Sequence, residues 1–188
     1  MSSTNDLRTE QDTLLALARR AIVYGLAHQR PPEIDVGALP EVLRKPGAAF
    51  VTLHLHGALR GCVGSLEARQ ALGVDVAENA FNAAFRDPRF APLTDAELNA
   101  IDIHISVLTR PQPLTVSSEQ DLLHQLRPGI DGLILEEGHR RGTFLPSVWE
   151  QLPDPRDFLR HLKQKAGFPA AYWSPNVRVS RYETISLP

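Results

Sequence analysis

The stretch AFVTLHLHGALRGCVG, residues 49–64, alternates apolar and polar side chains on both sides of a His56-Gly57 pair. The alternation predicts one strand over Ala49–Leu55 and a second over Ala58–Val63, because successive side chains of a strand point to opposite faces. The His56-Gly57 pair favours a tight turn between the two strands. The stretch therefore predicts an antiparallel hairpin.

The segments around this hairpin follow one another irregularly, without the βαβ alternation of a Rossmann-type fold. Alternation predicts strands over 101–107 and 176–187 and a hairpin of 132–136 with 141–145. Proline-rich breaks near 86–92 and 111–117 are places where two subdomains could separate. Capping residues and helical spacing predict helices from Thr9 to about residue 30, over about 72–85, over a short stretch from Thr94, from Ser117 or Ser118 to Leu126, and after Asp154-Pro155. The predicted fold class is α+β, with a mostly antiparallel sheet flanked by helices.

The composition is that of a chain that can bury its own core. The chain has 188 residues, of which 43% are hydrophobic, and a formal net charge of −2. No clustered excess of Lys and Arg is visible, which argues against nucleic acid as a partner. No apolar run approaches the roughly 18 residues of a membrane span, and no signal peptide is evident. Together with a single cysteine, which fits a reducing compartment, these features lead us to expect a soluble cytoplasmic protein.

The cysteine, Cys62, lies between Gly61 and Gly64 in or just after the second strand of the hairpin. Glycines inside a strand often mark a bulge or a close approach of the backbone to a ligand. They also permit positive φ and could turn backbone N–H groups toward one point, which would make an anion-binding nest. The positive charge of Arg60 and such donors both favour a thiolate. The alternative is that Cys62 is a small buried apolar residue, as free cysteines frequently are. The residues alone leave both interpretations open.

Two other groups of residues could carry chemistry. His54 and His56 are two apart on a predicted strand, so they could form a metal pair, but solvated histidines are commoner and we predict no metal site. Arg86, Asp87 and Arg89 could clamp a carboxylate or another anion. In the alternative, Asp87 and the proline after it end a helix, and Asp87 forms a local ion pair with an arginine.

Several blocks of the sequence resemble a known family. Leu59-Arg60-Gly61-Cys62-Val63-Gly64-Ser65-Leu66 is similar to the family's Leu-Arg-Gly-Cys-Ile-Gly signature, with valine in place of isoleucine. The order and spacing of the blocks agree over about residues 8–185. The chain thus resembles the AMMECR-domain family, and within it the prokaryotic group called AmmeMemoRadiSam system protein A. The other matching blocks are Ala83–Phe90, Ile103–Leu108, Gly129–Leu133, Thr143–Pro146 and Lys165–Gly167.

The resemblance implies an α+β fold with one AMMECR-type domain over residues 8–187, built from two unequal, packed subdomains. It places the Cys62 signature near the cleft between these subdomains. It also implies association, in genomes, with a Memo-like protein and a radical SAM protein. It names no reaction and no cofactor. Family members often carry a second cysteine before the Lys-Ala-Gly block, but His161-Leu162-Lys163-Gln164 stands there, which argues against a two-cysteine redox mechanism.

Two functions follow as hypotheses. In the first, the chain is an enzyme component: Cys62 is a thiolate nucleophile or covalent carrier, and the backbone of Gly61, Val63 and Gly64 binds an anionic group together with Arg60. Asp87, as a second catalytic candidate, then orients the substrate with Arg89 and His54. In the second, the same loop is a non-catalytic binding or scaffold module for a small molecule, a peptide, or a Memo-like or radical SAM protein. RNA binding is a third, weaker hypothesis, which the net charge argues against.

Overall fold

The computed structural model describes residues 4–188, which form two compact units. Unit 1 comprises the described residues up to Leu108 together with Ile185–Pro188, and unit 2 comprises Thr109–Thr184. Within the described range, no helix combines the length and the apolar character needed to cross a bilayer. Each unit has a hydrophobic core of its own.

The described elements are six α-helices, ten strands and two short 3-10 turns at 36–38 and 146–150. The helices are α1 (Thr4–Thr9), α2 (Gln11–His28), α3 (Glu41–Arg44), α4 (Leu72–Phe85), α5 (Glu119–Gln125) and α6 (Pro155–Lys165). The strands are β1 (Pro46–Gly47), β2 (Ala49–Leu55), β3 (Ala58–Gly64), β4 (Gln70–Ala71), β5 (Ile101–Leu108), β6 (Gln112–Leu114), β7 (Gly132–Glu137), β8 (Arg140–Phe144), β9 (Arg178–Tyr182) and β10 (Thr184–Leu187).

Unit 1 is a four-stranded sheet in the order β10-β5-β2-β3 with helices on one face. One side chain in two along β2 and β5 is buried, as the alternation of the sequence predicts, and these residues pack with apolar residues of α2 and α4. The predicted hairpin is confirmed, with β2 and β3 antiparallel. The predicted second helix is also confirmed, since α4 spans the 72–85 segment.

β3 is an edge strand that lies close to α4. Its pairing with β2 shifts between Leu53 and His54, which leaves Arg60 as the extra residue of a bulge. Gly61 is buried against α4, and a Cβ built there would overlap the carbonyl oxygen of Ala83. The glycine therefore lets the backbone of an edge strand pack directly on a helix.

Unit 2 is a four-stranded antiparallel sheet in the order β6-β9-β7-β8, with α5 and α6 contributing to its core. The rings of Trp149 and Phe158 stack at 3.8 Å in that core. The caps predicted for its helices are confirmed: Ser118 accepts a hydrogen bond from the N–H of Asp121, and Asp154 accepts from the N–H groups that follow it. The predicted α+β class with antiparallel sheets thus holds for the whole described chain.

Three predicted elements differ from the structure. Thr9 does not begin a helix, because it ends α1 and its hydroxyl donates to the carbonyl of Asn5. Thr94 does not begin a helix either. Its N–H and its hydroxyl donate to the carboxylate of Glu97, but the segment stays a series of turns, in which the N–H of Glu97 bonds to the carbonyl of Thr94. The segment 176–187 is divided into β9 and β10, which belong to different sheets.

The contact of Gly61 with α4 can be tested by Gly61→Val. We expect the free energy of unfolding to fall by at least about 2 kcal/mol, because the new side chain forces strand and helix apart. Urea denaturation followed by circular dichroism measures the change. Ala58→Val, at an exposed position of the same strand, is the matched control. Equal stability of the Gly61 variant and the control would contradict the role given to this glycine.

Candidate functional site

The sheet of unit 1 has a second face, opposite α2 and α4, which carries polar and reactive side chains. We call it the outer face. Strand register sets Thr52 of β2 between Cys62 of β3 and His104 of β5. The next row along β2 places His54 opposite Asp102. A thiol, a hydroxyl, two imidazoles and a carboxylate therefore share one surface of three adjacent strands.

Cys62 is half buried, and its sulfur accepts a hydrogen bond from the hydroxyl of Thr52 at 3.2 Å. The backbone N–H and C=O of Cys62 both bond away from β2, to Asp87 and Arg89. Cys62 and Thr52 therefore form a non-hydrogen-bonded pair, the type in which opposite side chains of antiparallel strands come closest. This geometry brings the hydroxyl within reach of the sulfur.

Asp87 and Arg89 close the free edge of β3 beside Cys62. The Asp87 carboxylate accepts the N–H of Cys62 at 2.9 Å, and Arg89 donates to it through Nε at 3.0 Å and Nη2 at 2.7 Å. The same Nη2 reaches the carbonyl of Cys62 at 3.4 Å. The two side chains thus give the strand one acceptor and one donor, as a neighbouring strand would.

The charge and hydrogen bonds of Asp87 suit a role in holding β3 and not a role in proton transfer. Its side chain is 3% exposed, and the hydrogen bonds from Arg89 hold its pKa far below the ordinary range of an aspartate. The N–H of Cys62 adds to the same effect. A carboxylate stabilised in this way is a weak base. Of the two interpretations of this segment, the local one is seen: α4 ends at Phe85, and Asp87 pairs with Arg89.

Arg60 points away from the sulfur and into the turns that follow α4. Its guanidinium donates to both carboxylate oxygens of Glu97, at 2.7 and 3.1 Å, and to the carbonyl of Ala91 at 2.9 Å. The ion pair lowers the pKa of Glu97 to about 2. These bonds fasten the bulge of β3 to the 91–97 segment.

The predicted anion-binding nest is wrong. Gly61 and Gly64 lie within β3, and neither has a positive φ. Gly61 packs on α4, a side chain at Gly64 would overlap the ring of Phe50, and Val63 packs against the core. The close approach of the backbone that the glycines predicted does occur. The groups approached are α4 and the ring of Phe50, and not a ligand.

His54 of β2 lies beside His104 of the neighbouring strand β5. The rings of His54 and His104 meet edge to face, with centroids 5.1 Å apart. The pairing of His54 with His56 on one strand is wrong, because β2 ends at Leu55 and His56 has a φ of 51° in the turn. In the part of the chain that the structure describes, no group of three or more His, Cys, Asp or Glu side chains is placed to hold a metal ion.

Thr52 and His104 are the outer-face residues that sequence reasoning missed. The alternation of 49–55 and 101–107 already assigned each of them to the polar side of its strand. What was lacking was the order and register of the strands, which place both beside Cys62. The resemblance of the block Ile103–Leu108 was the available signal, since it contains His104.

Comparison with known proteins gives consistent matches over nearly the whole chain. The family model described as AMMECR1 matches residues 15–187. A protein of Methanothermobacter thermautotrophicus is 41% identical over 181 residues, covering 94% of this chain and 92% of that protein. A protein of Thermotoga maritima is 37% identical, covering 88% and 91%. The crystal structure of an uncharacterized protein from Pyrococcus horikoshii superposes with a TM-score of 0.80 at 31% identity, covering 92% of this chain and 87% of that one.

The edge closure can be tested by Asp87→Asn. We expect a loss of about 2 kcal/mol of stability at pH 7, because hydrogen bonds to a charged group are replaced by neutral ones. Since the folded-state pKa of Asp87 is depressed, its contribution is present above the ordinary aspartate pKa and declines as the pH falls below it. The gap between wild type and variant should therefore narrow from pH 7 to pH 3.

Urea denaturation at several pH values measures this gap. Asp95→Asn is the control, because Asp95 is exposed and its side chain makes none of the hydrogen bonds found among residues 4–188. A gap for Asp87→Asn that stays constant with pH, or that equals the effect of the control, would contradict the edge closure.

Proposed function

The chain belongs to the AMMECR1 family, and we propose that it acts as an enzyme component in which the thiol of Cys62 is the reactive group. The observation that carries this proposal is the hydrogen bond from the Thr52 hydroxyl to the Cys62 sulfur at 3.2 Å. The bond holds a hydrogen-bond donor against the sulfur, whose deprotonated form is the nucleophilic form of cysteine. The half-buried position of Cys62 leaves part of the residue within reach of a substrate.

The backbone around Cys62 is held by three contacts. Gly61 packs on α4, the N–H of Cys62 bonds to Asp87, and the bulge at Arg60 is fastened through Glu97. A nucleophile held in this way keeps one orientation toward a bound molecule, which lowers the entropic part of a reaction barrier. We therefore give the signature residues Arg60 and Gly61, together with Asp87, a positioning role around a reactive thiol.

The imidazoles of His54 and His104 supply groups that can take up or deliver a proton on the same face. Thr52 lies between Cys62 and His104, so sulfur and imidazole are separated by two strand spacings, roughly 10 Å. A substrate that lies across Thr52 would meet the sulfur at one end and an imidazole at the other. The chemistry proposed is addition of the thiolate to a carbonyl carbon of a small molecule or peptide. The S–C bond forms as the C=O π bond breaks, and the carbonyl oxygen takes the electron pair and then a proton from an imidazole.

Arg89, one of the predicted ligand-binding residues, keeps a group for a ligand. Its side chain is 55% exposed, and its Nη1 makes none of the hydrogen bonds found in the described part of the chain. It lies beside the backbone of Cys62. We propose that an anionic group of the substrate binds Arg89, in place of the nest and of Arg60.

A second candidate function is a binding or scaffold module without chemistry. It is favoured by a separate observation: Arg60, Asp87 and Arg89 are all paired within the protein. The signature and the segment after α4 can therefore be understood as elements that shape a surface. The partners proposed for such a surface are a Memo-like protein or a radical SAM protein, as the family resemblance implies. The outer face around His54 and His104 would then be the recognition surface.

The reactive-thiol proposal predicts that iodoacetamide modifies Cys62 in the folded protein. Thr52→Val should slow this modification at pH 7 at least threefold, because the thiolate loses its hydrogen-bond donor. Thr52→Ser keeps the hydroxyl and should react at a rate close to that of the wild type. Mass spectrometry of timed samples measures the rate. Modification that occurs only in urea, or at equal rates in all three proteins, would overturn the proposal.

The binding-module proposal predicts a different response. A complex with a recombinant Memo-like or radical SAM protein should survive Cys62→Ser, whereas His54→Ala combined with His104→Ala should weaken it at least tenfold. Isothermal titration calorimetry measures the affinities, and circular dichroism checks that both variants are folded. If neither partner binds the wild-type chain, or if the double variant binds as the wild type does, this second function is rejected.

A further inference from the structure

The three charged residues that follow α4 serve two different sides of the molecule. Asp87 and Arg89 face the edge of β3. Arg86 instead lies over the ring of Phe81, with its Cζ 4.9 Å from the ring centroid. Its guanidinium takes part in none of the hydrogen bonds and ion pairs formed among residues 4–188. It is therefore an exposed cation with its donors free for a ligand.

Arg86 stands at the rim of a pocket of about 380 Å³ where the C-terminal ends of α2 and α4 meet. Pockets of this size hold small molecules. Arg86 is the one charged residue among those that line it. The apolar walls come mainly from Gly25, Leu26, Phe81, Phe85 and Leu93.

The walls of the pocket are built into the packing of unit 1. A Cβ at Gly25 would overlap the ring of Phe85 and lie 2.7 Å from the ring of Phe81, so the glycine lets both rings approach α2. The N–H of Leu93 bonds to the carbonyl of Ala84 at 2.8 Å, which holds the returning chain over the end of α4. The segment that carries Leu93 is therefore hydrogen-bonded to α4, so this wall of the pocket is held in place.

We propose that this pocket binds a small monocarboxylate with an apolar body, whose carboxylate pairs with Arg86 and whose body lies against Phe81 and Phe85. A guanidinium matches a carboxylate through two parallel hydrogen bonds. The carbonyl ends of two helices lie nearby, and their negative potential opposes anions. It opposes a dianion such as a phosphate monoester more than a monocarboxylate, whose single charge Arg86 balances. A cation is repelled by Arg86. The pocket does not include Cys62 or any other residue of the outer face.

The test uses 3-phenylpropionate and its neutral isostere 3-phenylpropanamide as probes of the full chain. We expect saturable binding of both, with the acid bound at least fivefold more tightly than the amide, because only the acid forms an ion pair. Arg86→Gln should abolish this preference and leave the affinity for the amide unchanged. Titrations followed by chemical-shift changes of the protein measure both affinities.

Two further variants show whether the probes occupy this pocket and pair with this arginine. Arg30→Gln is the matched control, since Arg30 is also exposed and lies over an aromatic ring, that of Tyr24, but does not line the pocket. It should keep the preference for the acid. Leu26→Phe fills the pocket and should weaken both probes. Equal affinity for acid and amide in the wild type, no saturable binding of either, or equal effects of Arg86→Gln and Arg30→Gln would overturn the proposal.

Binding at this pocket is independent of the thiol chemistry proposed for the outer face. The variant Cys62→Ser should bind 3-phenylpropionate with the affinity of the wild type. A loss of binding in Cys62→Ser would place the probe at the outer face and would refute the pocket assignment.

Discussion

The close contact between β3 and α4 at Gly61 is the constraint on which the rest of unit 1 depends. Because Gly61 has no side chain, the strand lies directly on the carbonyl of Ala83. The following residue, Cys62, then points to the other face of the sheet, since side chains alternate along a strand. The position of the thiol is thus a consequence of backbone packing one residue earlier. The conformation of the signature is therefore set mainly by its packing on α4 and not by a flexible loop.

Residues at both ends of α4 bind the hairpin. In its first turn, Asp75 is 2% exposed and accepts hydrogen bonds from the N–H of Ala49 and the hydroxyl of Ser65, which adjoin the two strands. Burial raises the pKa of Asp75, so its charge is costly and is compensated by these donors and by Asn79. Beyond its last turn, Asp87 binds the N–H of Cys62. A carboxylate at the open end of the hairpin and another beside its edge therefore fix its register relative to α4.

Local patterns predicted most elements, and long-range pairing explains what they missed. The alternation of Ala49–Leu55 and the caps at Ser118 and Asp154 were sufficient, because both are set by neighbours in sequence. The partner of Arg60 was not predictable in this way, since Glu97 lies 37 residues away. Gly61 and Gly64 correctly predicted a close approach of the backbone to another group. The prediction that this group is a ligand was wrong, because a sequence does not show which atoms approach a glycine. The row of Thr52 and His104 required the strand order.

The segment after α4 shows why a motif should not be equated with a single site. Arg86 and Asp87 are adjacent, yet α4 ends between Phe85 and Arg86, and the two side chains leave that end on different sides. Asp87 and Arg89 complete the edge of a strand, whereas Arg86 stands over an apolar pocket. One short segment can thus be constrained by two surfaces at once. The chemistry of each surface therefore follows from its own contacts and not from its place in the block.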